Sequence, residues 1–460
     1  MKKILSFKYV KKTVILICIL NFSQFSYAQK AGGGELNPGI YTNEKAIKNF
    51  QDMRLGVSIH WGPNVKAGQE ISWSRGKETP QPEYDAFYKD FNPTKFNADE
   101  WVRIIDAFGA KYIMITTKHH DGFAMWHSDY SEYDIAKTPF KRDILKELSE
   151  ACQRKNITFG TYYSTLDWFH PDYQPYGHGG PGKIFPTFND TPNYNRYLIY
   201  AKNQVSELIN KYNTKIIQFD GDWDSTWTHN IGSDMYLYIR KLKDDVLVNN
   251  RTDKGRYSAP RFPVKSPWRA EIYAGDFEER ERLTTNLSDG DGQIEMLGKS
   301  VYPWQAWVTL DRSQWSWKPN FKFLSSEEIV IDFLKTIGDG GNYLINIGPK
   351  PDGTFEQAAI DVITKAGVWI KSHANAIYGT SGGPFVEENK YTSTKKGKEI
   401  NLFVLDNSIQ QVILKNNNQK VISIIDEKGK KVNFKQNEGG ISFNLGKSEG
   451  FVRVYRVMVN

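Results

Sequence analysis

The strongest constraint on this chain is its rhythm. Between residues 56 and 373, short apolar runs alternate with stretches whose apolar residues recur every three to four positions. Gly56–Trp61 reads as a strand ending at His60, and Lys111–Thr117 as one running straight into His119 and His120. Ile157–Tyr163, Lys215–Asp220, Val246–Asn250, Glu271–Ala274, Gln305–Leu310 and Asn342–Ile347 continue the series. Among the intervening segments, Trp101, Ile104, Ile105 and Phe108 have helical spacing, opened by Asn97 with Glu100 and closed by Gly109. Ser325 with Glu328 opens another helix, and a last one around Ala358–His373 closes the unit. Strand and helix alternating in this way predict an α/β fold, a parallel (β/α)8-like barrel. A doubly wound dinucleotide fold fits less well, because no Gly-rich phosphate fingerprint opens a helix after a strand.

In such a barrel the C-terminal strand ends converge on one pocket. His60, His119, His120, Tyr163, Asp220, Arg251 and Asp276 are expected there. After Tyr378 short apolar runs alternate with Asn, Lys and Gly turns, the spacing of a small antiparallel β-sandwich. The expected organisation is a leader over 1–28, a barrel domain over 29–380 and a C-terminal sandwich over 381–460.

The leader has the pattern of an export signal. Lys2, Lys3, Lys8, Lys11 and Lys12 precede the apolar Val14–Leu20, and Ser26-Tyr27-Ala28 supplies a small-residue cleavage site. The apolar run is too short to span a bilayer. Cleavage after Ala28 would release a periplasmic or secreted protein. Those five lysines account for most of the net charge of +7, leaving 55 basic against 53 acidic residues. A balance so near neutrality gives no drive towards nucleic acid or an anionic membrane. Only Cys152 lies beyond the leader, so no intramolecular disulfide is expected. Its place beside Leu145 and Leu148 on an apolar helix face makes it a buried, inert thiol.

The stretch Lys215–Trp223, KIIQFDGDW, sets a carboxylate at a strand tip with glycine immediately after it and Trp223 nearby. Cleaving a glycosidic bond requires two carboxyl groups, about 5–5.5 Å apart in retaining enzymes. Asp220 suits the nucleophile, because Gly221 leaves room for substrate. For the proton donor, the stretch Gly275–Glu281 offers Asp276, Glu278, Glu279 and Glu281, and spacing does not choose among them. An aromatic content of 14% is in keeping with a carbohydrate cleft. Consecutive histidines at a strand end should point opposite ways, and no Cys cluster or HExxH helix accompanies His119-His120-Asp121, so no metal site is expected. Ser164 lacks a nucleophile elbow.

Four motifs, IHWG (Ile59–Gly62), KHHDGF (Lys118–Phe123), FDG (Phe219–Gly221) and GGNYLINIGPKPDG (Gly340–Gly353), occur in this order. Together, over Tyr41–Tyr378, they resemble the α-L-fucosidases of glycoside hydrolase family 29. The resemblance implies retaining, double-displacement release of terminal α-L-fucose from fucosylated oligosaccharides or glycoconjugates, with neither metal nor organic cofactor, on an irregular (β/α)8-like barrel. It makes Asp220 the nucleophile and His60, His119, His120, Tyr163 and Arg251 the sugar-binding residues. Trp73, near Glu70, would touch the sugar. Laying GDFEERE on the family's GDF-x-TPE pattern makes Glu281 the acid/base, with Glu278 and Glu279 as rivals. Three departures stand out: Glu279-Arg280 replaces Thr-Pro, Gln305 stands where some members carry Glu, and Gln218 where Trp is common. They leave open an exo-glycosidase for a related sugar such as α-L-galactose, or a lectin-like fucose binder.

Overall fold

The computed structural model describes residues 30–173, 193–255, 268–282, 302–415, 419–447 and 450–460. The expected export signal, 1–28, lies outside the described residues. No described helix is long and apolar enough to cross a membrane.

Eight parallel strands form one curled sheet: β1 (Leu55–Ile59), β2 (Tyr112–Lys118), β3 (Thr158–Ser164), β4 (Ile216–Asp220), β5 (Leu247–Val248), β6 (Glu278–Glu281), β7 (Trp304–Thr309) and β8 (Asn342–Asn346). Their order is β5-β4-β3-β2-β1-β8-β7-β6. Among the described residues, the two ends of the sheet meet at a single parallel bridge, Asn249 to Phe277, where Asn250 N donates to Phe277 O at 2.8 Å and Asp276 N to Val248 O at 2.8 Å. This seam, beside a β5 of two residues, is what makes the barrel irregular.

Helices over Ala98–Phe108, Ile144–Arg154, Tyr194–Tyr212, His229–Leu242, Ser326–Gly338 and Gln357–Ser372 surround the sheet. Their ends follow local chemistry. The Asn97 side chain accepts from Glu100 N, and Ser325 with Glu328 forms a reciprocal capping box. Cys152 is buried on Ile144–Arg154, and burial pushes its thiol up to about 12. Each strand carries two sets of side chains, one facing the helices and one facing the barrel axis. Ile113, Ile115, Phe159, Tyr163, Ile217 and Phe219 belong to the outer core. Tyr112, Met114, Tyr162, Ile216, Trp307 and Leu344 fill the barrel.

One expected strand is misplaced in the sequence reading. Glu271–Ala274 is a turn, with Ile272 N and Tyr273 N both donating to Arg269 O at 3.0 and 2.9 Å. The strand is the charged EERE of Glu278–Glu281, paired in parallel with β7. Its acids are tolerated because arginines meet them, as described below.

The C-terminal sandwich stacks a five-stranded sheet (Ser381–Gly382, Tyr391–Lys396, Glu399–Val404, Val421–Asp426, Arg453–Val459) on a three-stranded one (Gln411–Leu414, Phe434–Asn437, Gly440–Asn444). Leu402, Val404, Val412, Leu414, Ile441 and Val457 form its core. It is tied to the barrel by polar links: Arg54 Nε donates to Thr380 O at 3.1 Å, and Thr394 Oγ1 to Ala376 O at 2.6 Å.

Candidate active site

Asp220 is the last residue of β4. At Gly221 the backbone turns through φ 101°, and an added Cβ would meet Thr165 Oγ1 at 2.6 Å, so only glycine passes here. Asp220 Oδ1 accepts from Gly221 N at 2.6 Å and from the Arg251 guanidinium; Oδ2 accepts from the Tyr162 hydroxyl at 2.6 Å. His120 Nε2 lies 3.7 Å from the same Oδ2. Burial opposes the charge, but Arg251, then His120 and the Tyr162 hydrogen bond, hold this carboxyl well below the usual range. An ionised carboxylate at neutral pH is what a nucleophile requires.

Arg251, on the turn Asn250–Thr252 after β5, is the electrostatic centre. It is fully enclosed and meets four carboxylates: Asp220, Asp222 (Nε–Oδ1 3.1 Å), Glu279 (Nη1–Oε2 3.2 Å) and Glu281 (Nη1–Oε2 3.1 Å). Burial disfavours its charge, yet Asp220, Glu279, Asp222 and Glu281 together drive its pKa above the ordinary arginine value. The pleat of β6 explains which glutamates arrive. Glu279 and Glu281 share the inner face, while Glu278 and Arg280 pair with each other at 3.2 Å on the other. Glu279 is sealed, with 0% of its side chain exposed, whereas Glu281 keeps 15% and lines the pocket. Asp220 and Glu281 touch the two terminal nitrogens, Nη2 and Nη1, of one guanidinium, so both carboxylates reach the same pocket.

The pocket has a volume of about 570 Å³, suited to a small ligand. Three imidazoles line it, each tied at Nδ1. His60 Nδ1 lies 3.1 Å from Asn346 Oδ1, His119 Nδ1 2.7 Å from Ser72 Oγ, and His120 Nδ1 2.6 Å from Ser164 Oγ. Asn346 Oδ1 also accepts from His60 N at 3.1 Å, which fixes it as the oxygen. His60 Nδ1 therefore donates, and its Nε2 is left as an acceptor. Burial pushes His60 down to about 3, His120 to about 4 and His119 well below its ordinary value, so all three are neutral at neutral pH. They are hydrogen-bond partners for hydroxyl groups rather than cations.

Trp73, Trp223, Trp307 and Trp315 complete the walls. Trp73 and Trp223 lie 5.8 Å apart between ring centroids, and Trp307 and Trp315 4.1 Å. Glu70 holds the Trp315 wall in place, accepting from Trp315 N at 2.7 Å and Ser316 N at 3.0 Å.

Of the expected residues, His60, Trp73, His119, His120, Asp220, Arg251 and Glu281 line this pocket. Tyr163 does not. It faces the helices, donating to Gln204 Oε1 at 2.9 Å, and Tyr162 is the tyrosine on the inner face. Asp276 is also displaced. It accepts from Thr42 Oγ1, Tyr236 Oη and Val248 N at 2.7–2.8 Å. Because β6 starts at Glu278, Asp276 precedes the strand, and Glu281 instead occupies the tip. Nor do the adjacent histidines diverge. β2 ends at Lys118, so His119 and His120 lie in the following turn, where pleat alternation no longer applies, and their rings are 4.2 Å apart. Among the described residues, His119, His120 and Asp220 could hold a metal ion, with donor atoms within 4.8 Å of one another. A cation there would have to compete with Arg251 for Asp220.

The two substituted glutamines are one feature. Gln305 Nε2 donates to Gln218 Oε1 at 3.2 Å across the barrel, and Tyr112 Oη donates to Gln305 Oε1 at 2.7 Å. Trp223, noted in the sequence beside Asp220, is a pocket wall, whereas Tyr162, Glu70, Trp307 and Trp315 were not foreseen as site residues.

The α-L-fucosidase family profile matches residues 34–375. Plasma α-L-fucosidase of Homo sapiens is 30% identical over 72% of this chain and 69% of its own length. Tissue α-L-fucosidase of Bos taurus is 27% identical over 77% and 74%. Among solved structures, α-L-fucosidase isoenzyme 1 from Paenibacillus thiaminolyticus superposes with a TM-score of 0.77 at 28% identity, covering 91% of this chain and 99% of that one. A Bacteroides thetaiotaomicron GH29 α-L-fucosidase, trapped as a covalent intermediate with 2-fluoro-fucosyl fluoride, gives 0.79 at 26%, covering 94% and 99%. With its motifs in order, its barrel and its paired carboxylates, the chain belongs to the α-L-fucosidase family, glycoside hydrolase family 29.

Proposed function

We propose that this protein is an exported exo-α-L-fucosidase that releases terminal α-L-fucose from glycans with retention of configuration. Asp220 is the nucleophile and Glu281 the acid/base. The observation that carries the reading is the guanidinium of Arg251 joining Asp220 to Glu281 at the pocket floor.

In the first step Asp220 attacks the anomeric carbon, the glycosidic C–O bond breaks, and Glu281 passes its proton to the departing oxygen. Asp220 loses its charge as the ester forms, while Glu281 gains one. Arg251 touches both, so its field remains matched before and after the step. In the second step Glu281 takes a proton from water, whose oxygen displaces Asp220. The neutral imidazoles of His60, His119 and His120 accept or donate hydrogen bonds to the sugar hydroxyls without adding charge. Trp73 and the other indoles offer apolar surface to the C–H face and the methyl group of fucose. Export is supported by the N-terminal pattern, and mature protein beginning at Gln29 is the expected result of N-terminal sequencing.

Azide rescue tests the assignments. Asp220→Gly should lose at least about 10³-fold in kcat with its fold intact and, with azide, form β-fucosyl azide. Glu281→Ala should form the α-azide instead. Rescue of Glu278→Ala or Glu279→Ala in place of Glu281→Ala would refute the acid/base. A panel of aryl α-glycosides that includes the α-L-galactoside checks the sugar.

A further inference from the structure

Arg282 follows Glu281 directly and leaves β6 with φ 56°, in the left-handed region. A non-glycine residue is uncommon in that region, and here it turns the chain out of the strand immediately after Glu281. Its backbone N–H donates to Trp307 O at 2.7 Å, and its guanidinium lies 5.3 Å above the Trp315 ring on the pocket wall. The charge of Arg251 is met by four acids. Arg282 has no carboxylate within ion-pair distance among the described residues, and its Nε is buried without a hydrogen-bond partner among them. The neighbouring rim adds a second cation, since Lys318 Nζ donates to Ser313 Oγ at 2.7 Å, with Asp311 at 3.9 Å.

Position gives this charge a meaning. Glu281 delivers its proton to the leaving oxygen, so the residue next to it stands on the leaving-group side. We propose that Arg282 binds an oxyanion, a sulfate ester or a carboxylate, on the sugar from which fucose is released. This rests on the reading of Glu281 as acid/base. The carboxylates around Arg251 would repel an acidic leaving sugar. A guanidinium on the indole wall offsets that repulsion and offers a planar fork matched to carboxylate or sulfate oxygens.

The test compares kcat/KM for α-L-fucosyl-galactose, the same disaccharide sulfated on galactose, and α-L-fucosyl-galacturonic acid. The wild-type protein should favour at least one acidic substrate about tenfold or more at low ionic strength, with the ratio shrinking as salt is added. The ratio should fall to near one in Arg282→Gln and be partly restored in Arg282→Lys, each shown folded by its melting curve. Which acidic arm gains identifies sulfate or carboxylate. A wild-type ratio at or below one, or a preference that survives Arg282→Gln, overturns the proposal. α-L-Fucosyl fluoride, which carries no leaving sugar, reports the underlying reaction separately. If the wild-type protein does not turn it over, the fucosidase reading itself fails, and this proposal with it.

Discussion

Replacing Tyr162 by Phe removes one oxygen and leaves the ring, which stacks on His119 at 5.2 Å and 12° between planes. The lost group is the 2.6 Å donor to Asp220 Oδ2. A hydrogen bond to a charged partner contributes about 1.5–3 kcal/mol, so kcat/KM should drop roughly 10- to 150-fold. Tyr163→Phe is the matched control, one residue along the same strand. Its hydroxyl bonds Gln204 Oε1, and Gln204 Nε2 goes on to Ser128 Oγ at 3.3 Å, far from any reacting atom. That variant should lose about 1–3 kcal/mol of stability by orphaning a buried acceptor and keep kcat/KM within about threefold. Hydrolysis of 4-nitrophenyl α-L-fucoside measures the first effect and urea unfolding the second. If Tyr163→Phe were the slower enzyme, or Tyr162→Phe no slower than wild type, the inner and outer faces of β3 would be wrongly assigned.

Acid should unfold the protein through its imidazoles. Above pH ~6.5 the unfolded histidines are neutral like the folded ones, so they impose no pH dependence. As pH falls from ~6.5 towards the folded values of about 4 for His120 and about 3 for His60, only the unfolded chain takes up protons, and stability declines by about 1.4 kcal/mol per pH unit for each ring. Melting temperatures at pH 7 and pH 5 check this, and equal values would mean the rings are not held neutral. Arg251→Met should destabilise the fold by about 3–5 kcal/mol, because it strands buried carboxylates, as well as abolish turnover. Denaturant midpoints measure it, and an unchanged midpoint would count against the four-acid cluster.

Much of the site was legible because apolar strands ending in one polar residue leave little choice of position. His60 after β1, Asp220 at the end of β4 and Arg251 after β5 are of this kind. β6 was illegible, since EERE carries the charge density of a surface loop and becomes a strand only because Arg251 and Arg280 meet its acids. Tyr162 and Tyr163 could not be told apart either. β3 is buried on both faces, so TFGTYYS has no polar alternation to reveal which face turns inward. The Gln218–Gln305 pair joins opposite staves, 87 positions apart in sequence, and only the closed barrel brings them together.

The seam between β5 and β6 has a consequence for robustness. Arg251 stands on one lip of it and Glu279 and Glu281 on the other, so ionic rivets reinforce a short backbone ladder at the joint beside the pocket. A cylinder clasped in this way should come apart first beside the groups proposed to carry out the reaction, and inactivation on heating or acidification should run ahead of global melting. Selection for turnover would then also have kept the barrel shut.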